Sequence, residues 1–206
     1  MRKLAVMFVA MMVTCFFLCA NAHALPLITQ GDAFLYDTFD YPDLWDDWGG
    51  ADYNTVPWDT LAYTEGLAAF GNEYSGGLPY KTYWQEDTEL ALKKTINVDG
   101  LLSNIILNVA SDNGFMIFVN ENLIAKANAE GYTSYWEYSF SIDASPFVLG
   151  ANDIRVVAED HGVATFFDMQ LTADVDPVPE PTTMLLLGAG MVGLAGFGRK
   201  RLFKKG

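Results

Sequence analysis

Apolar and polar residues alternate along the second half of the chain, with the period of two that is typical of half-buried β-strands. The alternation begins with Leu90, Leu92 and Ile96. It returns in short runs at roughly ten-residue spacing, which favours an antiparallel β-sandwich or jelly roll. Phe115–Val119 is continuously apolar, as expected of a strand buried on both faces. The other positions that predict strands are Ile105, Leu107, Val109, residues 123–127, Tyr138, Phe140, Ile142, Ile154, Val156, Ala158, Val163, Thr165, Phe167, Met169 and Leu171.

Turn-forming residues lie between these runs. Ser111-Asp112-Asn113-Gly114 has the composition of a hairpin turn, and so has Asp160-His161-Gly162 before the last predicted strand. Shorter turns are predicted at residues 120–122 and 150–153, where asparagine and glycine tolerate a left-handed backbone. We therefore expect the strands on either side of these turns to run antiparallel.

The first half of the chain is less regular. Residues 33–39 predict one strand, and an acidic, aromatic loop follows at residues 40–50. Glycine, proline and aromatic residues stay frequent up to Leu90, and no helical period is sustained, so we expect long loops with short strands such as residues 67–70. The fold class predicted for residues 25–173 is all-β, a single antiparallel β-sandwich.

The first 24 residues predict a secretory signal peptide. Residues 2–3 are basic, residues 4–20 are apolar, and Ala22 and Ala24 form an A-x-A cleavage site before Leu25. Such a segment implies signal peptidase as a partner. An uncleaved anchor helix is the alternative.

A second apolar segment lies near the C-terminus. Residues 182–198 carry no charge, and at about 1.5 Å per helical residue they span roughly 25 Å, slightly less than the hydrocarbon core of a bilayer. Arg199, Lys200 and Arg201 begin a basic tail, residues 199–206, which the positive-inside rule places in the cytoplasm. The pattern predicts one transmembrane helix, with the preceding domain on the far side of the inner membrane.

A proline-rich linker, residues 174–181, precedes this segment and ends in Pro179, Glu180 and Pro181. A Pro-Glu-Pro motif, a short apolar helix and an arginine-rich end resemble, in that order, the PEP-CTERM sorting signal of Gram-negative bacteria. The resemblance implies processing near the motif by an exosortase, transient membrane anchoring, and a final place on the cell surface or outside the cell. It also implies an association with exopolysaccharide and biofilm. A plain single-pass anchor after a proline linker is the alternative interpretation.

Five segments of the second half follow one another in a characteristic order: residues 111–114, Phe118-Val119-Asn120, Phe140, Leu149-Gly150-Ala151-Asn152 and residues 154–158. This order resembles the galactose-binding-like jelly roll of carbohydrate-binding modules and of the sugar-binding domains of glycosidases. The family usually has glycine in the turn after Asn120, where this chain has Glu121-Asn122. Asparagine can adopt the positive φ that such a turn requires.

Charge separates the predicted domain from its two ends. The whole chain has a net charge of −14, but seven of its 12 basic residues lie in the end segments. Residues 25–181 therefore hold 26 acidic and five basic residues, a net charge of −21, which argues against nucleic acid and anionic lipid as partners. Cys15 and Cys19 are the two cysteines, and both lie in the predicted signal peptide, so the exported domain cannot form a disulfide.

Aromatic residues near carboxylates are the candidate ligand contacts, because sugar rings stack on flat side chains and sugar hydroxyl groups donate to carboxylates. Trp84, Tyr135 and Trp136 each lie within a few residues of an acidic side chain. Asp112 and Asn113 could present a carboxylate and an amide to a sugar or to calcium. The alternatives are that the aromatic residues fill the core and that the two polar residues bond only their own turn.

Motifs for metal binding and catalysis are scarce. Asp43, Asp46, Asp47 and Asp52 cluster in the acidic loop without the EF-hand pattern, so calcium is left open and no other cofactor is predicted. His161 is the one histidine of the exported part and no G-x-S-x-G is present, which argues against a zinc site or a serine hydrolase.

We therefore expect a non-catalytic, exported surface or matrix protein that associates with polysaccharide. Two alternatives are kept. One is a structural matrix component without a specific ligand, and the other is a glycoside hydrolase that uses two of the many carboxylates.

Overall fold

A computed structural model of the chain describes residues 24–40, 52–74, 77–128, 134–160, 162–177 and 187–191. The chain divides into two compact units, Met1–Asp176 and Pro177–Gly206. Strands of the described residues form two six-stranded sheets, which confirms the prediction of a β-protein with two sheets.

The strands of the first sheet are β1 (Ala24–Ile28), β4 (Phe70–Gly71), β5 (Thr82–Tyr83), β7 (Gly100–Asp112), β10 (Tyr138–Ile142) and β12 (Phe166–Pro177). Their order is β10-β7-β12-β4-β5, and β1 also pairs with β12. The sequence predicts antiparallel pairing, but β4 and β5 are parallel. Because β1 pairs with β12, the first and last strands of the sandwich are hydrogen-bonded neighbours, with Ala24 opposite Asp174.

The strands of the second sheet are β2 (Ala33–Phe39), β3 (Thr64–Leu67), β6 (Glu89–Val98), β8 (Phe115–Val119), β9 (Asn122–Ala127) and β11 (Gly150–Ala158). They pair antiparallel in the order β3-β2-β6-β11-β8-β9. The strand predicted at residues 33–39 is confirmed with those limits, and the predicted strands around Leu92 and at Phe115–Val119 are confirmed as well.

The inward faces of the two sheets form the main hydrophobic core. Leu90 and Leu92 of β6 belong to it together with Phe167 and Met169 of β12, and all four are buried. Full burial of one such side chain stabilises the fold by about 1.5–3 kcal/mol. The period-two pattern of the sequence therefore identifies the residues that hold the sheets together.

A second, smaller core covers the outer face of the second sheet. Trp58, from the loop before β3, packs edge-on against Phe118 of β8, with the ring centroids 6.3 Å apart. Phe115 and Ile117 of the same strand point into the main core. The prediction that β8 is buried on both faces is confirmed, because residues from two clusters alternate along it.

Two predicted hairpin turns are wrong. β7 and β8 lie in different sheets, so Asn113 and Gly114 carry the chain from one sheet to the other, and β7 itself continues through Asp112. The connection from β11 to β12 also passes between the sheets, so residues 160–162 are not a hairpin. Turn composition indicates a change of direction, but it does not say which sheet the next strand joins.

Two strand predictions also need correction. Residues 67–70 are not one strand: β3 ends at Leu67 in the second sheet, and β4 begins at Phe70 in the first. β12 begins at Phe166 rather than Val163, whose side chain is exposed, and it ends at Pro177, inside the predicted linker. β12 reaches so far because β1 pairs with it as far as Asp174.

The strand directions define two ends of the sandwich. The crossover pole contains the end of β7, the start of β8, the end of β11 and the start of β12. The terminal pole contains the start of β1, the end of β12 and the starts of β7 and β11. The turn at residues 120–121 lies level with Asp153 of β11, inside the terminal-pole end of that strand, because Asn120 N donates to Asp153 O at 2.9 Å.

Most of the predicted signal peptide and most of the predicted sorting signal lie outside the described residues. These parts include residues 1–23, with Ala22, and residues 178–186 and 192–206, with Pro179, Glu180, Pro181, Arg199, Lys200 and Arg201. Within the second unit, residues 187–191 are helical. Among the described residues, no helix has the length and apolar character needed to cross a bilayer.

Candidate functional site

The two connections between the sheets lie side by side at the crossover pole. Asn113 N donates to Glu159 O at 2.9 Å, and Glu159 N donates to Gly114 O at 3.0 Å. A Cβ atom at position 114 would overlap the Glu159 carboxylate, so this close approach requires glycine. The reciprocal bonds hold the two connections together and bring their acidic side chains to one place.

Asp112 and Asp160 are both buried at this pole. Asp160 Oδ2 accepts a hydrogen bond of 2.6 Å from Asp87 N. Asp160 Oδ1 is buried and accepts no hydrogen bond from the described part of the chain. Burial raises the pKa of Asp160 to about 7, against hydrogen bonds from Asp87 and Gly162 that lower it, and the nearby Asp112 charge raises it further.

The neighbouring carboxyl groups are perturbed in the same direction. Burial raises the pKa of Asp112 to about 6, and the Glu137 charge adds to the shift. Burial raises the pKa of Glu159 to about 8, and the Glu89 charge contributes. Near neutral pH this pole therefore holds protonated and ionised carboxyl groups together, which can donate as well as accept hydrogen bonds.

Tyr135 and Trp136 form an aromatic pair beside these carboxylates. Their ring centroids are 5.4 Å apart, and Tyr135 also packs edge-on against Phe166 at 5.5 Å. Both residues of the pair are half-buried. Trp136 has a φ of +57°, a left-handed conformation that costs free energy for a bulky residue. The next residue, Glu137, accepts a long hydrogen bond of 3.5 Å from Ser111 N.

The structure therefore brings together most of the ligand candidates that the sequence predicts. Asp112 and Asn113 end β7 at the crossover pole, and Tyr135 and Trp136 precede β10, the strand paired with β7. Trp84 is different, because its side chain is 0% exposed. Its Nε1 donates to Thr88 O at 2.9 Å, so a sugar ring cannot stack on it, and Trp84 belongs to the core.

Sequence reasoning missed the buried carboxylates beyond Asp112. Glu159 and Asp160 directly follow the apolar run of β11, and this position at the end of a buried strand is the signal that could have found them. Asp168, within β12, is 0% exposed and accepts a hydrogen bond of 2.9 Å from Met169 N. Burial raises the pKa of Asp168 to about 6, against a hydrogen bond from Gln30 that lowers it.

Metal ligation finds no support in the described residues, where histidine, cysteine and acidic side chains form no group of three or more that could hold an ion. Asp43, Asp46 and Asp47 of the acidic loop lie outside the described ranges. Asp52 caps a 3₁₀ turn, because its Oδ1 accepts a hydrogen bond of 2.8 Å from Asn54 N.

The C-terminal end of the chain matches a known family of sorting motifs. Residues 177–201 match the PEP-CTERM protein-sorting motif. The chain thus carries the sorting signal of exosortase-processed proteins, which are exported through the inner membrane of Gram-negative bacteria. No curated protein matches the sequence.

Comparison with solved structures finds β-rich regions of larger proteins. An FMN-binding β-glucuronidase from Facaelibacterium prausnitzii L2-6 is 11% identical, with a TM-score of 0.43 over 74% of this chain and 23% of that one. A β-glucuronidase from Ruminococcus gnavus is 7% identical, with a TM-score of 0.46 over 75% of this chain and 30% of that one. An anti-sigma factor domain-containing protein is 10% identical, with a TM-score of 0.42 over 72% and 46%. Likenesses at this level identify neither a family nor an activity.

Proposed function

We propose that this exported, exosortase-sorted protein is a non-catalytic component of the cell surface or extracellular matrix that binds polysaccharide at its crossover pole. One observation carries the proposal. The rings of the half-buried Tyr135 and Trp136 lie next to Glu137, whose charge acts on the buried Asp112 carboxyl group. Flat apolar rings beside hydrogen-bonding carboxyl groups are the features that a sugar-binding protein surface requires.

The chemistry of the pole suits a neutral or hydroxyl-rich glycan. The exposed Glu137 can accept hydrogen bonds from sugar hydroxyl groups, whereas the carboxyl groups of Asp112, Glu159 and Asp160 are buried and do not reach the surface. The net charge of −21 would repel a strongly anionic polymer. We therefore expect the ligand to be a neutral exopolysaccharide.

Replacing Trp136 by alanine should weaken glycan binding about fivefold, because a lost ring contact is worth on the order of 1 kcal/mol. The matched control is Trp136→Phe, which keeps a ring and should lose less. Tryptophan fluorescence is unsuitable for these variants, so isothermal titration across a panel of glycans, including the polymer of the producing cell, supplies the affinities. No saturable binding to any glycan would support the purely structural alternative.

Hydrolysis is the second candidate, favoured by the two buried carboxyl groups of Glu159 and Asp160 with raised pKa values. Such perturbed groups are concentrated at active sites, although buried structural clusters show them too. Release of reducing sugar from the bound polymer, lost in Glu159→Gln and Asp160→Asn, would replace the binding proposal by a hydrolase. Binding without product release is the result that we expect.

Sorting through the C-terminal tail is proposed to use residues 182–198 as a transient membrane helix, after signal peptidase cleaves before Leu25. The exosortase then processes the chain near Pro181. The surface-released protein is expected to begin at Leu25 and to lack Arg199, Lys200 and Arg201. Its intact mass tests both ends. A released protein that retains the basic tail would contradict exosortase processing, and one that retains residues 1–24 would contradict the signal-peptide assignment.

A further inference from the structure

The terminal pole of the sandwich exposes a set of large aliphatic side chains. Leu101, at the start of β7, is 65% exposed, and Leu149, just before β11, is 57% exposed. Each lies within two residues of the terminal-pole end of a strand. The terminal apolar patch consists of Leu25, Leu101, Val148 and Leu149.

Among the residues that the structure describes, exposed aliphatic side chains are more numerous at the terminal pole, where four occur, whereas Val163 is exposed near the crossover pole. Near the crossover pole, the exposed aromatic residues of the described ranges are tyrosines, namely Tyr74, Tyr80 and Tyr83, whose hydroxyl groups suit water. The terminal pole instead exposes leucine and valine, which have no polar atom beyond the backbone. Single exposed leucines need no explanation, but four aliphatic residues at one end of a domain mark a contact surface.

A buried polar network fixes the central part of this patch. Asn152 is fully buried, and its Nδ2 donates to Val148 O at 2.8 Å and to Gly150 O at 3.0 Å. Its Oδ1 accepts from Val148 N at 2.8 Å and from Asn120 Nδ2 at 2.9 Å. The backbone that carries Val148 and Leu149 is therefore held in place, so their exposure is a property of the fold rather than of a loose loop.

The chain itself indicates what covers the patch. β12 brings the chain to the terminal pole, where Asp176 O lies against Gly100, and the matched sorting motif starts at the next residue. Residues 177–181 separate this point from the apolar segment 182–198 and reach at most about 18 Å when fully extended. If residues 182–198 form the proposed membrane helix, the terminal pole is the part of the domain from which the chain leads into the membrane.

We propose that the terminal apolar patch docks on the periplasmic face of the inner membrane while the sorting tail is uncut. The inference rests on the proposed anchoring by residues 182–198. Docking places aliphatic side chains in the interfacial region and points the crossover pole away from the membrane. Asp99, Asp174 and Asp176 lie near the same pole, so the lipid surface that fits is zwitterionic rather than anionic.

The test uses the chain from Leu25 to Gly206, reconstituted in phosphatidylcholine vesicles. This region has no cysteine, so one cysteine at a time can carry an environment-sensitive fluorophore. A label replacing Leu149 is expected to shift to shorter wavelength and to be quenched by lipid-borne quenchers. The matched control is a label replacing Val163, which is 61% exposed at the opposite pole and should stay in water.

The paired variant Leu101→Ser with Val148→Ser, read by the same label at position 149, is expected to lose most of the quenching. Val163→Ser should leave the quenching unchanged. Adding anionic phosphatidylglycerol should reduce the quenching, and salt should restore it.

Flotation of the vesicles separates the two proposals. If the chain floats with lipid but the label at position 149 stays in water, anchoring holds and docking is wrong. If the chain does not float, the anchoring proposal fails and the docking proposal fails with it.

Discussion

Replacing Trp84 by alanine should lower the free energy of unfolding of the domain by about 3–5 kcal/mol. The indole is fully buried between the sheets, in one cluster with Phe70 and Leu90, so its removal leaves a cavity that the sandwich cannot close. The variant also leaves Thr88 O without its indole donor. Unfolding in urea, followed by circular dichroism, measures the loss.

The informative comparison is with Trp136→Ala, because both tryptophans lie near acidic residues in the sequence and both are predicted as candidate ligand contacts. Trp136 is half-buried, so its removal should change stability by less than the loss of Trp84 and should reduce glycan binding instead. A Trp84 variant of unchanged stability would contradict its place in the core. A Trp136 variant that unfolds as readily would show that this ring is structural too.

The domain is expected to lose stability as the pH rises from about 5 to about 8. Burial raises the pKa of Asp160 from 3.8 to about 7, so the folded protein binds this proton more tightly than the unfolded chain does. The stabilisation is complete below the unfolded value and is lost as the pH rises through the folded value. The difference between the two pKa values corresponds to ~4 kcal/mol for this one group.

Asp160→Asn is the matched variant, because the amide keeps the shape of the protonated acid and its oxygen can still accept from Asp87 N. We expect it to resemble the original protein at pH 5, to be more stable at pH 8, and to flatten the slope between them. Urea unfolding at several pH values supplies the free energies. Asp112, Glu159 and Asp168 also have raised pKa values, so part of the slope should remain in the variant. Stability that increases towards pH 8, or a slope as steep in the variant as in the original protein, would contradict the raised pKa of Asp160.

Asp143→Asn is the control for a surface carboxylate. Hydrogen bonds from Ser145 lower the pKa of Asp143, so this group titrates below the window of the experiment. Its replacement should leave the slope between pH 5 and pH 8 unchanged.

The period of hydrophobic positions predicted most of the second half of the sandwich. The pattern around Leu92 and at Phe115–Val119 identified strands because burial on a pleated sheet repeats every two residues. The sequence predicts that Asn122 adopts the positive φ of the turn after Asn120, but the structure has positive φ at earlier residues. The left-handed residues are Asn120, with a φ of +48°, and Glu121, with a φ of +66°, as a two-residue hairpin turn requires.

Pairing between distant strands could not be predicted in the same way. Nothing local in Asn113-Gly114 tells whether the chain returns in its own sheet or crosses to the other, because both paths begin with the same turn chemistry. Trp84 shows the same limit, since an aromatic residue beside acidic ones suits either a core or a sugar site. Its burial depends on a segment more than 80 positions later: Thr165, the residue just before β12, donates its hydroxyl group to Trp84 O at 2.9 Å.

The pairing of β1 with β12 has a consequence for the order in which the chain folds. Under the proposed export by the N-terminal signal peptide, the unfolded chain emerges from its N-terminal end, so β1 leaves the membrane before β12 and cannot pair until β12 follows. Until then, the edge of β1 that will pair with β12 can pair with wrong strands. Periplasmic chaperones that shield this waiting segment are therefore expected to govern the yield of the native protein.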